Sequence, residues 1–331
     1  MKSKDLDSKD KLNANTRAFM QTYQLAYPII QAAPGGERLA QALTNAGAMG
    51  ALQMSWTTPE EGYDIVSRMM ANTPGNFYAN YVLHVEPITL DKVLEAGCPT
   101  VQFAWGLPSR EIVSKIRSAQ ARFGIQISSR RSAERALELL PDFLICQSIE
   151  AGGHVQGTSE LSNILHEVLD IAGKVPVLAA GGIATGHHIR RVINSGAAGA
   201  VLGTRFMATV ESDGNDIYKQ ALVEAGANST VYTNCFNRDW QAMHRVLRNS
   251  TFLAWEAEGG PLAGSKPGED DIVAIEADGA EIIRYSSAGY NAKEGQLEAV
   301  AMYAGQGVDQ VNDLPHAADL VARLWREFND Q

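Results

Sequence analysis

Cysteine is scarce in this chain. Cys98, Cys146 and Cys235 stand far apart, their odd number gives no disulfide framework, and no pair has the spacing of a zinc site. Positive charge is also short: 28 Lys and Arg against 38 Asp and Glu leave a formal net charge of −10 with no basic run, so nucleic acid is not an expected partner. No stretch approaches the roughly 20 apolar residues of a membrane helix, and no membrane partner is expected. The opening MKSKDLDSKDKLNANTRAFMQ has no apolar core of a signal peptide. These absences predict a reduced, cytoplasmic protein with residues 1–21 as a polar extension, and they leave room for a homodimer. HExxH, GxSxG and Walker motifs are missing, which removes support for zinc hydrolase, serine hydrolase and nucleotidase chemistry.

What is present is a rhythm. Eight short apolar runs recur: PIIQAA (28–33), GALQM (50–54), NFYANYVL (76–83), TVQFAW (100–105), GIQIS (124–128), FLICQ (143–147), VPVLAA (175–180) and AGAVLG (198–203). Between most of them lie segments of helical periodicity, many ending in glycine. No GxGxxG follows the first run, so an open dinucleotide-binding sheet is disfavoured. The alternation predicts an α/β fold, a TIM (β/α)8 barrel. After residue 210 the rhythm changes to helical patterns such as DIYKQALVEAG and DWQAMHRVLRNSTFLAWEAEG, followed by a Gly- and Pro-rich connector at 259–271. The expected division is a barrel over 22–210 and 276–331, with 211–275 as a smaller, mostly helical cap. The tail from 294 reads as helical and closes the barrel.

Ligands of such a barrel bind at the carboxyl ends of its strands. Three glycine-bearing segments fall there: IEAGGHVQG (149–157) after the sixth run, AGGIATG (180–186) after the seventh and LGTRF (202–206) after the eighth. Bare backbone N–H groups in the loops after strands seven and eight suit a phosphate, which makes Gly181, Gly182, Gly203 and Thr204 candidates, with Ala180 leading into the first of these loops. The alternative is that these glycines serve tight turns only. Gly152 and Gly153 let something approach the backbone beside His154, whose imidazole can donate a hydrogen bond or take a proton. Glu150 is expected to anchor this loop. Asn80 and Gln147, polar residues near the ends of apolar strands, need partners when buried.

Taken together, PIIQAAPGG, GNFYANYVL, FAWGLP, CQSIEAGGHVQG, VPVLAAGGIATG, GAAGAVLGTRF and MYAGQG resemble the nitronate monooxygenase family of FMN-dependent TIM barrels, once called 2-nitropropane dioxygenases. The resemblance covers about residues 27–210 and returns near 300–308. It departs from the family in a short first loop, Gln31 to Glu37. It implies FMN as cofactor, with its phosphate on the Gly181–Gly182 and Gly203–Thr204 loops. It also implies Ala33 and Pro34 beside the isoalloxazine, and Asn80, Gln126 and Gln147 facing the flavin; Gln306 of YAGQG is a further cofactor candidate, with a helix cap as its alternative role. His154 then binds a nitronate or removes the α-proton of a nitroalkane, and O2 is the oxidant. A sister reading is an NAD(P)H-dependent FMN reductase of quinones or enoyl thioesters; a third is a flavin-binding barrel without turnover.

Overall fold

The computed structural model describes residues 12–330. The chain enters through α1 (Ala14–Thr22) and β1 (Ile29–Gln31). The alternation continues with α2 (Gly36–Asn45), β2 (Gly50–Gln53), α3 (Pro59–Asn72), β3 (Phe77–Val82), α4 (Leu90–Glu95) and β4 (Thr100–Ala104). Then follow α5 (Arg110–Ser118), β5 (Arg122–Ile127), α6 (Arg130–Leu137), β6 (Phe143–Gln147), the two-residue β7 (Gly153–His154) and α7 (Leu161–Ala172). The alternation ends with β8 (Val177–Ala180), α8 (Gly186–Asn194), β9 (Gly199–Leu202) and the one-turn α9 (Thr204–Met207). Side chains that start these helices are local. Thr58, Ser109, Ser129 and Thr185 each accept a hydrogen bond from the backbone N–H three residues on, and Glu61 returns the favour to Thr58.

Eight strands pair in parallel in the order β1-β9-β8-β6-β5-β4-β3-β2, and the ring closes between β1 and β2. There Gln31 N–H donates to the Met49 carbonyl and Met49 N–H to the Ile29 carbonyl, both at 2.9 Å. All eight predicted strands are therefore present, in a closed barrel. Their near-continuous apolarity follows from burial on both faces.

The segment before β1 belongs to this barrel. Residues 12–21 read as polar, yet Leu12, Phe19 and Met20 are buried. Phe19 and Tyr23 pack on Phe143 at the amino-terminal end of β6, with ring centroids 6.0 and 5.7 Å away. Asn13 ties the helix to the floor by donating to the carbonyls of Ile193 and Ala197. The expected extension is thus corrected over 12–21; residues 1–11 lie outside the described residues.

The added region also differs from expectation. It contains α10 (Asp216–Glu224), β10 (Thr230–Thr233), β11 (His244–Leu247), α11 (Ser250–Ala257), β12 (Ile272–Ile275), β13 (Glu281–Ile283) and β14 (Glu294–Gly295). It is mixed, not mostly helical. Trp240, Met243, Val246 and Leu247 have helical spacing, but His244–Leu247 pairs antiparallel with β10 and with β7. Those partners are remote in sequence, so local periodicity could not reveal them. The second sheet, β13-β12-β14, straddles the expected boundary at 275/276, so the addition runs on past it. The tail is helical only in 3-10 turns at Leu297–Ala299 and Gln306–Gln310 and in α12 (Ala317–Asn329). That last helix packs between α8 and α2, completing the outer ring. Among the described residues no helix is long and apolar enough to cross a membrane.

Candidate active site at the barrel mouth

Six adjacent strands each carry one carboxamide between mid-strand and carboxyl end: Gln31, Gln53, Asn80, Gln102, Gln126 and Gln147. Gln53, Asn80 and Gln102 are level with one another across β2, β3 and β4. Their side chains form a chain in which Gln53 Nε2 donates to Asn80 Oδ1 at 2.8 Å, Asn80 Nδ2 donates to Gln102 Oε1, and Gln102 Nε2 donates to the Phe103 carbonyl. Asn80 thus has its partners in neighbouring amides, and no ligand is required to satisfy it. Sequence reasoning missed Gln53 and Gln102, although they carry the same signal as Asn80, a lone amide within an otherwise apolar strand. Gln126 is different: it is half-buried, and its amide has no partner among the described residues.

Gln147 holds the loop that carries His154. Its Nε2 donates to the His154 carbonyl at 3.2 Å, and its Oε1 accepts from Gln156 N–H at 3.0 Å. The same loop is gripped elsewhere. Glu150 accepts the Leu161 N–H at the start of α7 with both carboxylate oxygens, and the Arg245 guanidinium donates twice to the Ile149 carbonyl. Glu150 is an anchor, as expected. Gly153 and His154 form β7, paired with Arg245 and His244 of β11, so the imidazole is fixed by a sheet joining barrel to addition.

The glycines of this region have separate causes. A Cβ on Gly152 would stand 2.5 Å from Gly305 N and 2.7 Å from the Ala304 carbonyl carbon, so this glycine admits the strap 304–307. Gly157 is tight against the Gln147 carbonyl, and Gly181 against Ser148 Oγ. Gly153 has φ +76° and faces open space, and Gly203 meets only the Ala32 methyl at 3.4 Å. The strap crosses the loops after β6, β8 and β9. Gln306 N–H donates to the Glu150 carbonyl, a Cβ on Gly307 would meet the Gly182 carbonyl, and Gly305 N–H donates to Thr204 Oγ1 at 2.9 Å. One segment touches all three turns, which therefore converge on one rim.

Along that rim the backbone N–H groups of Gly181, Gly182, Gly203 and Thr204 find no acceptor among the described residues. Unpaired donors at the ends of neighbouring strands β8 and β9 suit an oxyanion. Ala180 is buried and its carbonyl accepts from Ser148. Ala33 is half-buried and Pro34 exposed in the loop after β1, next to Ala32 and hence to Gly203. Gln306 points its side chain to solvent; its backbone does the binding.

His154 sits among aromatic rings. Trp240 stacks on it with centroids 4.0 Å apart and planes 27° from parallel, while Tyr303, His244 and Trp105 surround it at 5.4, 5.5 and 6.3 Å. Its Nε2 is buried without a hydrogen-bond partner. Burial, followed by the neighbouring His244 and His84, pushes its pKa down to about 3. The ring is therefore neutral near pH 7. Trp105 has φ +61°, a strained backbone for a tryptophan, of the kind held at functional sites. Neither Trp105 nor Trp240 was singled out from the sequence: Trp105 lay inside FAWGLP, and Trp240 inside a stretch read as helix. His244 is a structural histidine, its two ring nitrogens engaged by Phe236 N–H and the Ala242 carbonyl.

Comparison with known proteins agrees with this architecture. The family model described as nitronate monooxygenase matches residues 82–327. A nitronate monooxygenase from Paraburkholderia phytofirmans is 27% identical, over 94% of this chain and 95% of its own. A Mycobacterium tuberculosis protein, (3aS,4S,5R,7aS)-5-hydroxy-7a-methyl-1-oxo-octahydro-1H-indene-4-carboxyl-CoA dehydrogenase, is 30% identical over 72% of this chain and 67% of its own. Among solved structures, nitroalkane oxidase from Streptomyces ansochromogenes aligns with a TM-score of 0.76 at 26% identity, covering 94% of this chain and 98% of that one.

Proposed function

Because this chain belongs to the nitronate monooxygenase family of oxidoreductases, we propose that it oxidises alkyl nitronates with O2 to carbonyl compounds and nitrite, with FMN at the barrel mouth. The residues present fit such a cofactor. The unpaired N–H groups of Gly181, Gly182, Gly203 and Thr204 would hold its phosphate, and the open side of Gly153 and the free amide of Gln126 would meet its ring system. Bound there, FMN supplies the redox chemistry by which the nitronate carbon and O2 react.

The observation that carries the reading is His154: a neutral, loop-locked imidazole with an orphaned buried Nε2 at the ligand end of the barrel. A buried polar atom without a partner is costly, and a ligand oxygen would remove that cost. With its pKa at about 3 the ring is a poor base, since proton abstraction works best with a pKa near the working pH. Donating a hydrogen bond to an oxygen of a preformed nitronate suits it better than deprotonating a nitroalkane. An arriving anion would also raise the pKa of the imidazole, strengthening that bond.

The 30% identical Mycobacterium relative, named for a CoA thioester, favours a second reading in which a thioester is oxidised or reduced. The two separate in one experiment on the purified protein. Its visible spectrum should be that of an oxidised flavin, unbleached by anaerobic NADH or NADPH, and O2 uptake should start on adding ethyl nitronate. Rapid bleaching by NAD(P)H without nitronate-dependent O2 uptake would transfer the assignment to a reductase, and a colourless protein that cannot be reconstituted with FMN would remove the flavin.

A further inference from the structure

Trp240 lies at the tip of a loop whose neck is stapled. His244, fixed in β11, receives Phe236 N–H on Nε2 at 3.1 Å and engages the Ala242 carbonyl through Nδ1 at 2.9 Å. The two ends of the 237–241 excursion are thus tied together by one buried ring. The tip is held by Arg238, whose N–H donates to the Tyr285 carbonyl and whose guanidinium reaches Asp270 and the Glu269 carbonyl, by Lys266 Nζ donating to Asn237 Oδ1, and by Asp239 Oδ2 accepting Ser287 N–H at 3.0 Å. An exposed ion pair of this sort contributes little. Neck and tip are thus held differently, the neck by one buried ring and the tip by single hydrogen bonds and an ion pair to the addition.

From this tip the indole reaches across the mouth. One face stacks on His154, beyond β6; the other stacks on His84, beyond β3, with centroids 5.0 Å apart and planes 12° from parallel. Trp105, beyond β4, meets its edge at 4.6 Å. In the ring of strands β3 and β6 are separated by β4 and β5, so a single side chain bridges most of the opening. It lies in the layer a ligand must enter to reach the His154 ring, whose Nε2 is closed off in this conformation.

We propose that Trp240 is a specificity-determining residue: its indole covers His154, and the room left beside that ring when a ligand displaces the indole sets the size of substrate admitted. The inference rests on the reading of His154 as the substrate-binding group. It favours short-chain nitronates, whose alkyl part fits beside the indole, over long ones.

The test uses the full chain and two variants, Trp240→Ala and Trp240→Phe. Diethyl pyrocarbonate acylates neutral imidazoles, so labelling of His154, read by peptide mass spectrometry, reports access and not protonation. Labelling should rise about tenfold or more in Trp240→Ala and stay near wild type in Trp240→Phe, with exposed His166 as an internal control. The ratio of kcat/KM for hexyl over ethyl nitronate should increase about tenfold in Trp240→Ala, since one misfitting methylene alone discriminates by about that factor. Equal labelling in wild type and Trp240→Ala, or an unchanged ratio, overturns the proposal. If no protein consumes either nitronate, the proposed reaction fails while the labelling still decides whether Trp240 covers His154.

Discussion

His154 and His244 make the fold sensitive to acid in a direction that can be worked out. Burial holds the pKa of His154 at about 3 and that of His244 at about 4, against 6.5 for an ordinary imidazole. Between these values the unfolded chain binds protons that the folded one refuses, so stability rises with pH. Their contribution is complete above about pH 6.5 and is lost as pH falls toward 4 and then 3. Thermal scans should therefore show Tm falling as pH drops below 6.5, with a shallower fall in His244→Gln; equal slopes would contradict the burial argument. Gln147 tests the positioning of His154. Gln147→Leu leaves His154 carbonyl and Gln156 N–H without partners, a cost of about 1–3 kcal/mol. Nitronate kcat/KM should drop with it, and an unperturbed rate would mean that the loop is held without Gln147.

At the scale of elements, the turns at the strand ends were visible in the sequence as glycines, but not what each glycine admits. Gly152 and Gly153 are neighbours with different reasons. In Gly152→Ala the new methyl meets backbone of the strap at 2.5 Å, and displacing it should cost about 1–3 kcal/mol and lower the retained flavin. In Gly153→Ala there is room, so only the φ of +76° matters, about 1–2 kcal/mol. Urea titration should rank the two with Gly152→Ala at least as damaging, and flavin content should fall in Gly152→Ala. The strap Ala304–Gly307 itself could not be placed from its motif, because its partners Glu150, Gly152 and Gly182 lie over a hundred residues earlier. The same holds for β11: its pairing with β7 is non-local, whereas the barrel strands and their capped helices follow from patterns within a dozen residues.

In the whole molecule the barrel was legible because each β/α unit repeats the same local signal, and adjacent units pair in chain order. The floor was not, since α1 looks polar and buries only one face, with Phe19 against Tyr23 and Phe143. Phe19→Ala should cost about 3–5 kcal/mol and several degrees of Tm while leaving the mouth intact. A loss of activity at temperatures where the variant is still folded would show that floor and mouth are coupled. The function is tested most directly at the mouth, by comparing wild type with His154→Asn at equal flavin occupancy. With a preformed nitronate, O2 uptake and nitrite release should fall in kcat/KM by about a hundredfold, the usual effect of removing one aligned donor. An unchanged kcat/KM would remove His154 from the reaction and with it the chemistry assigned to this rim.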